Sequence, residues 1–191
     1  HSSTMTINAD DDPASLQQWP VHEVGRNADV FDEQAGRVLE AGTKLVFPTT
    51  HLHSNGIDTT ARLEVGFKFH PKDYEPTKKM QLLFFGNGPD LDIRPMDNNQ
   101  QAHAYFTLPE NSKISVFEPH MHAPGVRMCL EAVWGTTVQT LNCAGYDHNW
   151  VRTYVYEDDY APLLPRGTIL HTMGWYNNSE TCTEHFTNRD C

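Results

Sequence analysis

The sequence predicts an all-β protein of the antiparallel sandwich or barrel class, and three observations lead there. Long stretches with helical periodicity are missing. Short apolar runs bounded by Gly, Pro, Asn or Asp recur at the spacing of about 8 to 12 residues that sandwiches and barrels show. Residues 62–70 alternate strictly, with Leu63, Val65, Phe67 and Phe69 on one face and Arg62, Glu64, Lys68 and His70 on the other, as a half-buried strand requires.

Taken in order, the first 37 residues hold the acidic run Asp10-Asp11-Asp12 and read as loops with one short helical turn near 15–18. Residues 45–47 are the first apolar run, and 62–70 is the strongest strand signal in the chain. Runs at 80–85, 103–108 and 113–117 follow. Residues 127–134 and 138–143 flank Gly135-Thr136-Thr137, and a three-residue loop there sets Cys129 opposite Cys143, in reach of a cross-strand disulfide. Residues 150–156 and 168–176 complete the set. The segment 71–76, Pro-Lys-Asp-Tyr-Glu-Pro, is polar and bracketed by prolines, and it marks the expected boundary between a first part, 1–75, and a second, 76–191.

Composition excludes several classes of partner. The 191 residues carry 14 basic and 25 acidic side chains, a formal charge of −11, which repels phosphate backbones and anionic lipid, so nucleic-acid binding is not expected. No window approaches the ~20 apolar residues of a membrane-spanning helix. The four cysteines contain no C-x-x-C, which argues against a zinc ribbon or a thioredoxin-type site. Disulfides are the better reading: Cys129 with Cys143, leaving Cys182 for Cys191. That implies an oxidising compartment, extracellular or periplasmic. No signal peptide precedes His1, and a chain that opens without Met reads as processed or clipped.

Histidine is the unusual residue, at 11 of 191. His51-Leu52-His53 and His120-Met121-His122 each place two imidazoles at i and i+2, which on a strand project from one face, roughly 6 to 7 Å apart at Cα. Each pair then makes two-thirds of a three-ligand metal site. Spacing needs context here, because a chain this rich in histidine produces such pairs by chance, and surface histidines on two strand edges are the competing reading. Each pair is closed by a turn, Asn55-Gly56 or Pro124-Gly125, where a scaffold presents functional groups. An all-nitrogen set suits copper or zinc better than iron or magnesium. His22, His70, His103 and His185 have no partner at ligand spacing and read as surface or hydrogen-bonded histidines. Neither His148 nor His171 replaces a ligand that can be named. Glu157-Asp158-Asp159 is an acidic cluster that reads as a solvated loop, with Ca²⁺ binding as the alternative.

Four segments in order resemble the C-terminal domain of the copper type II, ascorbate-dependent monooxygenases: residues 117–125 (Phe-Glu-Pro-His-Met-His-Ala-Pro-Gly), Tyr146-Asp147-His148-Asn149-Trp150, Leu164-Pro165-Arg166-Gly167-Thr168 and Tyr176-Asn177-Asn178-Ser179. That family includes the peptidylglycine α-hydroxylating and dopamine β-monooxygenases, and the likeness is nearer to uncharacterised bacterial relatives. Upstream, residues 19–27 and 51–56 look like the end of the family's N-terminal domain. The resemblance implies two jelly-roll β-sandwich domains, the first incomplete in this chain, each with one copper. It matches His120 and His122 to the paired ligands of the oxygen-binding copper. His53 matches the lone histidine of the electron-supplying copper, with His51 a neighbour that could substitute and His1 a candidate for the second of the adjacent histidine pair that completes its ligands. The implied activity is hydroxylation of a C–H bond in a small-molecule or peptide substrate, with O2 and with ascorbate as reductant.

The resemblance also has departures. The family's third oxygen-site ligand is a methionine downstream of Ser179, and residues 180–191 contain none, so it is either lost or beyond this segment. Met173 shares a strand face with His171 and Trp175 by period-2 counting and offers a thioether, against the competing role of a core methionine. Because most of the first sandwich is missing, sheet edges need covering, which admits a partner subunit. The rival to the enzyme is therefore a non-catalytic β-sandwich module, an interaction or structural subunit that kept the fold without complete copper sites.

Overall fold

Residues 169–178 show how local alternation builds this protein. Leu170, Thr172, Gly174 and Tyr176 point to one side and are buried, while His171, Met173 and Trp175 on the other side are half-buried. In the computed structural model, which describes residues 2–20, 22–51, 56–86, 88 and 91–179, this stretch is strand β13, Ile169–Asn178. It lies in the middle of a four-stranded antiparallel sheet, in the order β10-β9-β13-β6, with β6 at Asp97–Thr107, β9 at Gly125–Trp134 and β10 at Thr137–Gly145. Two short ladders complete this part of the chain. β8, Val116–Phe117, pairs with β11, Tyr154–Val155, and β7, Ser112–Lys113, pairs with β12, Leu163–Leu164. Phe117 and Leu164 from these ladders join Leu108, Leu130, Ala132 and Leu170 in one buried cluster, so the short ladders cap the apolar face of the large sheet. The fold is all-β and sandwich-like, and α-helix is absent among the described residues. No helix among them is long and apolar enough to cross a membrane.

The chain divides into two units: His1–Glu23 with Asn27–Leu83, and Val24–Arg26 with Phe84–Cys191. The first unit contains the sheet β2-β1-β4, formed by Gln17–Gln18, Ser2–Ile7 and Lys44–Thr50. It also contains a parallel two-residue contact between β3, Ala35–Gly36, and β5, Lys78–Lys79. Thr4 and Thr6 of β1 are buried, and the Trp19 indole donates to Thr6 Oγ1 at 3.0 Å. Arg37 lies 4.3 Å over the Trp19 ring and donates to the Gln18 carbonyl at 2.7 Å, and burial lowers its pKa. The 71–76 segment falls inside this unit, where Tyr74 stacks on His70 at 3.9 Å and donates to the Glu33 carbonyl.

Several expected strands take a different form. Residues 62–70 form no strand. Phe67 packs edge-on against Trp19 at 5.4 Å and Phe69 stacks on Phe67, yet Leu63 and Phe69 remain 46% and 68% exposed. Alternation states only that a segment can lie in a sheet; a strand also needs a neighbouring backbone to receive its hydrogen bonds. Residues 80–85 lack a ladder likewise, 113–117 splits between β7 and β8, and of 150–156 only β11 is paired. The early helical turn is a 3-10 turn at Pro13–Ser15, with Asp12 as its cap accepting from the Ala14 amide at 3.0 Å.

The hairpin of β9 and β10 carries the Cys129–Cys143 disulfide, reached by another route than the expected one. Trp134 pairs with Thr137, so the loop is the two residues Gly135 and Thr136, with Gly135 at a positive φ of 56°. A register shift between Thr140 and Asn142 then adds the extra residue, Leu141, that sets Cys143 opposite Cys129. The pairing expected between Cys182 and Cys191 lies outside the described residues. Peptide mapping without reduction is expected to recover the Cys129–Cys143 link. Replacing both cysteines by Ala should lower stability to urea by about 3 kcal/mol, the scale for a closed loop of this length; unchanged stability would contradict that role.

Candidate metal centre

Between β8 and β9 the chain must leave one ladder and enter the large sheet, and Met121 fixes how it does so. Its side chain is buried to 3% exposure. It fills space that only glycine leaves open on the neighbouring strands: a Cβ at Gly125 would lie 2.7 Å from Met121 Cβ, and one at Gly174 would lie 3.1 Å from Met121 Cε. With Met121 turned inward, His120 and His122 on either side are turned outward and exposed. The expected two-histidine presentation from one face is therefore present, but on a loop and not on a strand. The loop closes where the Gly125 amide donates to the His122 carbonyl at 2.7 Å.

Two further loops reach this site. After β10, Tyr146 donates its phenol to the Met121 carbonyl, and its oxygen lies 3.4 Å from His148 Nδ1. Asp147 shapes the His148 turn, accepting from the Asn149 amide at 2.9 Å and, through its carbonyl, from the Trp150 amide at 3.0 Å. The ring centroids of His120 and His122 are 5.6 Å apart, and those of His122 and His148 are 6.4 Å apart. Glu118 Oε1 lies 3.7 Å from His120 Nδ1, and the other carboxylate oxygen pairs with buried Arg26. Arg26 arrives by a tight turn at Gly25, whose positive φ of 92° suits glycine and where a Cβ would lie 3.0 Å from the Val151 carbonyl oxygen, leaving no room for a side chain.

His51 follows β4 in the first unit and is exposed, while His53 and His1 lie outside the described residues. Met173 faces the side of the large sheet away from the buried cluster, opposite Cys129 and His103 in register. His22 lies 3.3 Å from Asp29, and His70 bonds the Ala35 carbonyl at 2.8 Å, so both serve local structure. Lys113 pairs with Asp158 of the acidic loop. His148, Tyr146 and Glu118 carried no assigned role in the sequence, although all three sit in the segments noted there. Glu118 is two residues from His120 on the same loop; what joins Tyr146 and His148 to His120 and His122 is proximity between two loops, which spacing cannot express.

No family model, curated protein or solved structure matches this chain.

Two substitutions test how the site is held without touching a histidine. Gly125→Ala forces a methyl group against Met121 and the His122 carbonyl, and Tyr146→Phe removes the tie between the His120 and His148 loops. Each is expected to weaken binding of a transition-metal ion roughly tenfold or more, the scale for losing a group that orients ligands. Calorimetric titration with Cu(II), alongside circular dichroism, separates this from loss of fold.

Proposed function

We propose that this chain is a copper protein of the ascorbate-dependent monooxygenase type, with His120, His122 and His148 holding the oxygen-site ion. The convergence of three imidazoles from two anchored loops carries the reading. An ion bonded to imidazole nitrogens at about 2.0–2.1 Å places ring centroids roughly 5 to 6 Å apart, so a small inward turn of His148 closes the set. Glu118 beside His120 fits the carboxylate that steadies a ligand imidazole, and Arg26 in turn steadies Glu118. Three nitrogen donors without a thiolate suit copper or zinc, and the sequence resemblance selects copper.

Copper bound here would supply one-electron redox chemistry and a place for O2, with ascorbate as the source of electrons. The chain's own contribution is positional. Met121 keeps the ligand loop seated, Tyr146 couples it to the His148 loop, and Glu118 sets the orientation of His120. His148 supplies the third donor where the resemblance calls for a methionine. The electron-supplying ion is assigned to His51, His53 and His1 of the first unit. The substrate class is a small molecule or peptide that offers a C–H bond, and the Cys129–Cys143 disulfide suits a secreted or periplasmic protein.

The second reading is the non-catalytic module, and two observations favour it. Imidazole-only ligation holds Cu(II) well but lacks the soft donor that stabilises Cu(I). The large sheet also ends at β10 and β6, where Val138 and Tyr105 are 61% and 64% exposed, as suits a partner subunit lying along an edge.

Electron spin resonance of the Cu(II)-loaded chain is expected to show a nitrogen-ligated signal, one copper's worth of which is lost in the His120→Ala, His122→Ala double variant, with the disulfide and circular dichroism preserved. Full copper stoichiometry in that variant would defeat the assignment. Oxygen consumption coupled to hydroxylated product, with copper and ascorbate supplied, separates the two readings: coupled turnover establishes the enzyme, and copper binding without turnover across a broad substrate panel establishes the module.

A further inference from the structure

The side of the large sheet away from the buried cluster carries a second group of metal-ligating side chains, built on β6, β9 and β13. Glu131 of β9 and Tyr105 of β6 flank His171 of β13 in register, and one step along Met173 pairs with His103. His171 Nδ1 lies 3.1 Å from Glu131 Oε2, and His171 Nε2 lies 3.0 Å from His103 Nδ1. The Tyr105 ring stacks on His171 at 4.4 Å, with the planes 5° apart.

The tautomers follow from the carboxylate. An ionised carboxylate only accepts hydrogen bonds, so Nδ1 of His171 bears the hydrogen and its Nε2 presents a lone pair. That is the arrangement of a metal-ligating histidine, whose outer N–H is fixed by a carboxylate while the other nitrogen faces the ion. Facing it is another imidazole nitrogen. The two rings meet edge to edge, with centroids 5.2 Å apart and planes 16° from parallel, so both nitrogens point into the same gap. Two imidazoles sharing one ion stand roughly 3.3 to 4 Å apart at nitrogen, given bonds of about 2.0–2.1 Å. A turn of the exposed His103 ring supplies the missing few tenths of an ångström to about one.

We infer that His103 and His171, oriented by Glu131 and joined by the Met173 thioether, form a further metal site that takes a soft monovalent ion, Cu(I). Met173 faces the same side as His171, two residues away, and stands directly opposite His103 across the strands, where cross-strand Cβ atoms are about 4.5–5.5 Å apart. A thioether with two imidazoles selects Cu(I) over harder divalent ions. No electron is transferred on binding. The hydrogen on His103 Nδ1 moves to Nε2 on the solvent side, which frees the Nδ1 lone pair, and His171 and Glu131 keep the proton state they already have. This site shares no residue with the His120, His122 and His148 group and does not rest on its assignment.

The test titrates Ag(I), a redox-stable stand-in for Cu(I), into the full chain carrying His120→Ala and His122→Ala, and follows imidazole nitrogen resonances. One ion is expected to shift the His103 and His171 signals together. His103→Gln, at an exposed position, keeps an amide donor toward His171 but removes the imidazole, and should abolish the effect. Glu131→Gln should weaken binding by about 10- to 100-fold, the range for losing an orienting carboxylate. Met173→Leu should weaken Ag(I) while leaving Zn(II) unchanged. Unshifted His103 and His171 resonances, or unaltered Ag(I) affinity in His103→Gln, would overturn the site; equal Ag(I) affinity in Met173→Leu would overturn its preference for a soft ion.

Discussion

The pairing of β13 with β9 on one side and β6 on the other is the constraint on which the second unit depends. A strand in the middle of a sheet has both backbone edges satisfied, so its side chains have two destinations only, fixed by odd and even position. In β13 the even positions Leu170 and Thr172 enter the interior, with Leu170 in the cluster containing Leu130, Ala132 and Phe117. Odd positions emerge on the opposite side, where His171 meets Glu131 and His103. A slip of one residue would exchange these sets, burying the histidine and the methionine and exposing Leu170. The stability of the core and the geometry of the outer cluster are thus one register read on two faces.

The same strand shapes the loop site through an absence. Gly174 on its inner side and Gly125 at the start of β9 provide the space that Met121 occupies. Met is suited to that space because its unbranched thioether chain adapts to irregular gaps. Inserting one central residue decides the direction of both its neighbours, and so a packing requirement in the interior displays two imidazoles outside. Tyr176, also on the inner side, packs by the same glycine, and burial raises its phenol pKa.

Support for the loop site comes from chain segments far apart in sequence. Arg26 holds Glu118, which neighbours His120, and Arg26 follows a turn at Gly25 that lies against Trp150 and Val151. Tyr146 then links the His120 loop to the His148 loop. Such orienting groups contribute to a metal site by reducing the reorganisation that binding demands, so they matter even though none bonds the ion.

The class of fold, the β9–β10 hairpin and the inner and outer faces of β13 were legible in the sequence, because alternation and turn chemistry are local properties; Cys129 and Cys143 were expected to face each other across a three-residue turn, and they do so through a two-residue loop and a bulge. The His120 and His122 pair was legible for the same reason, although its placement on a loop was not. Residues 62–70 alternate as clearly as any strand and yet form none, because pairing needs a partner backbone that a single segment does not contain. The bulge at Leu141, the arrival of His148 beside His122, and the chain from Glu131 through His171 to His103 belong to tertiary structure alone. Each depends on the distance between segments remote in sequence, and that distance exists only once burial of the apolar faces has set the strands side by side.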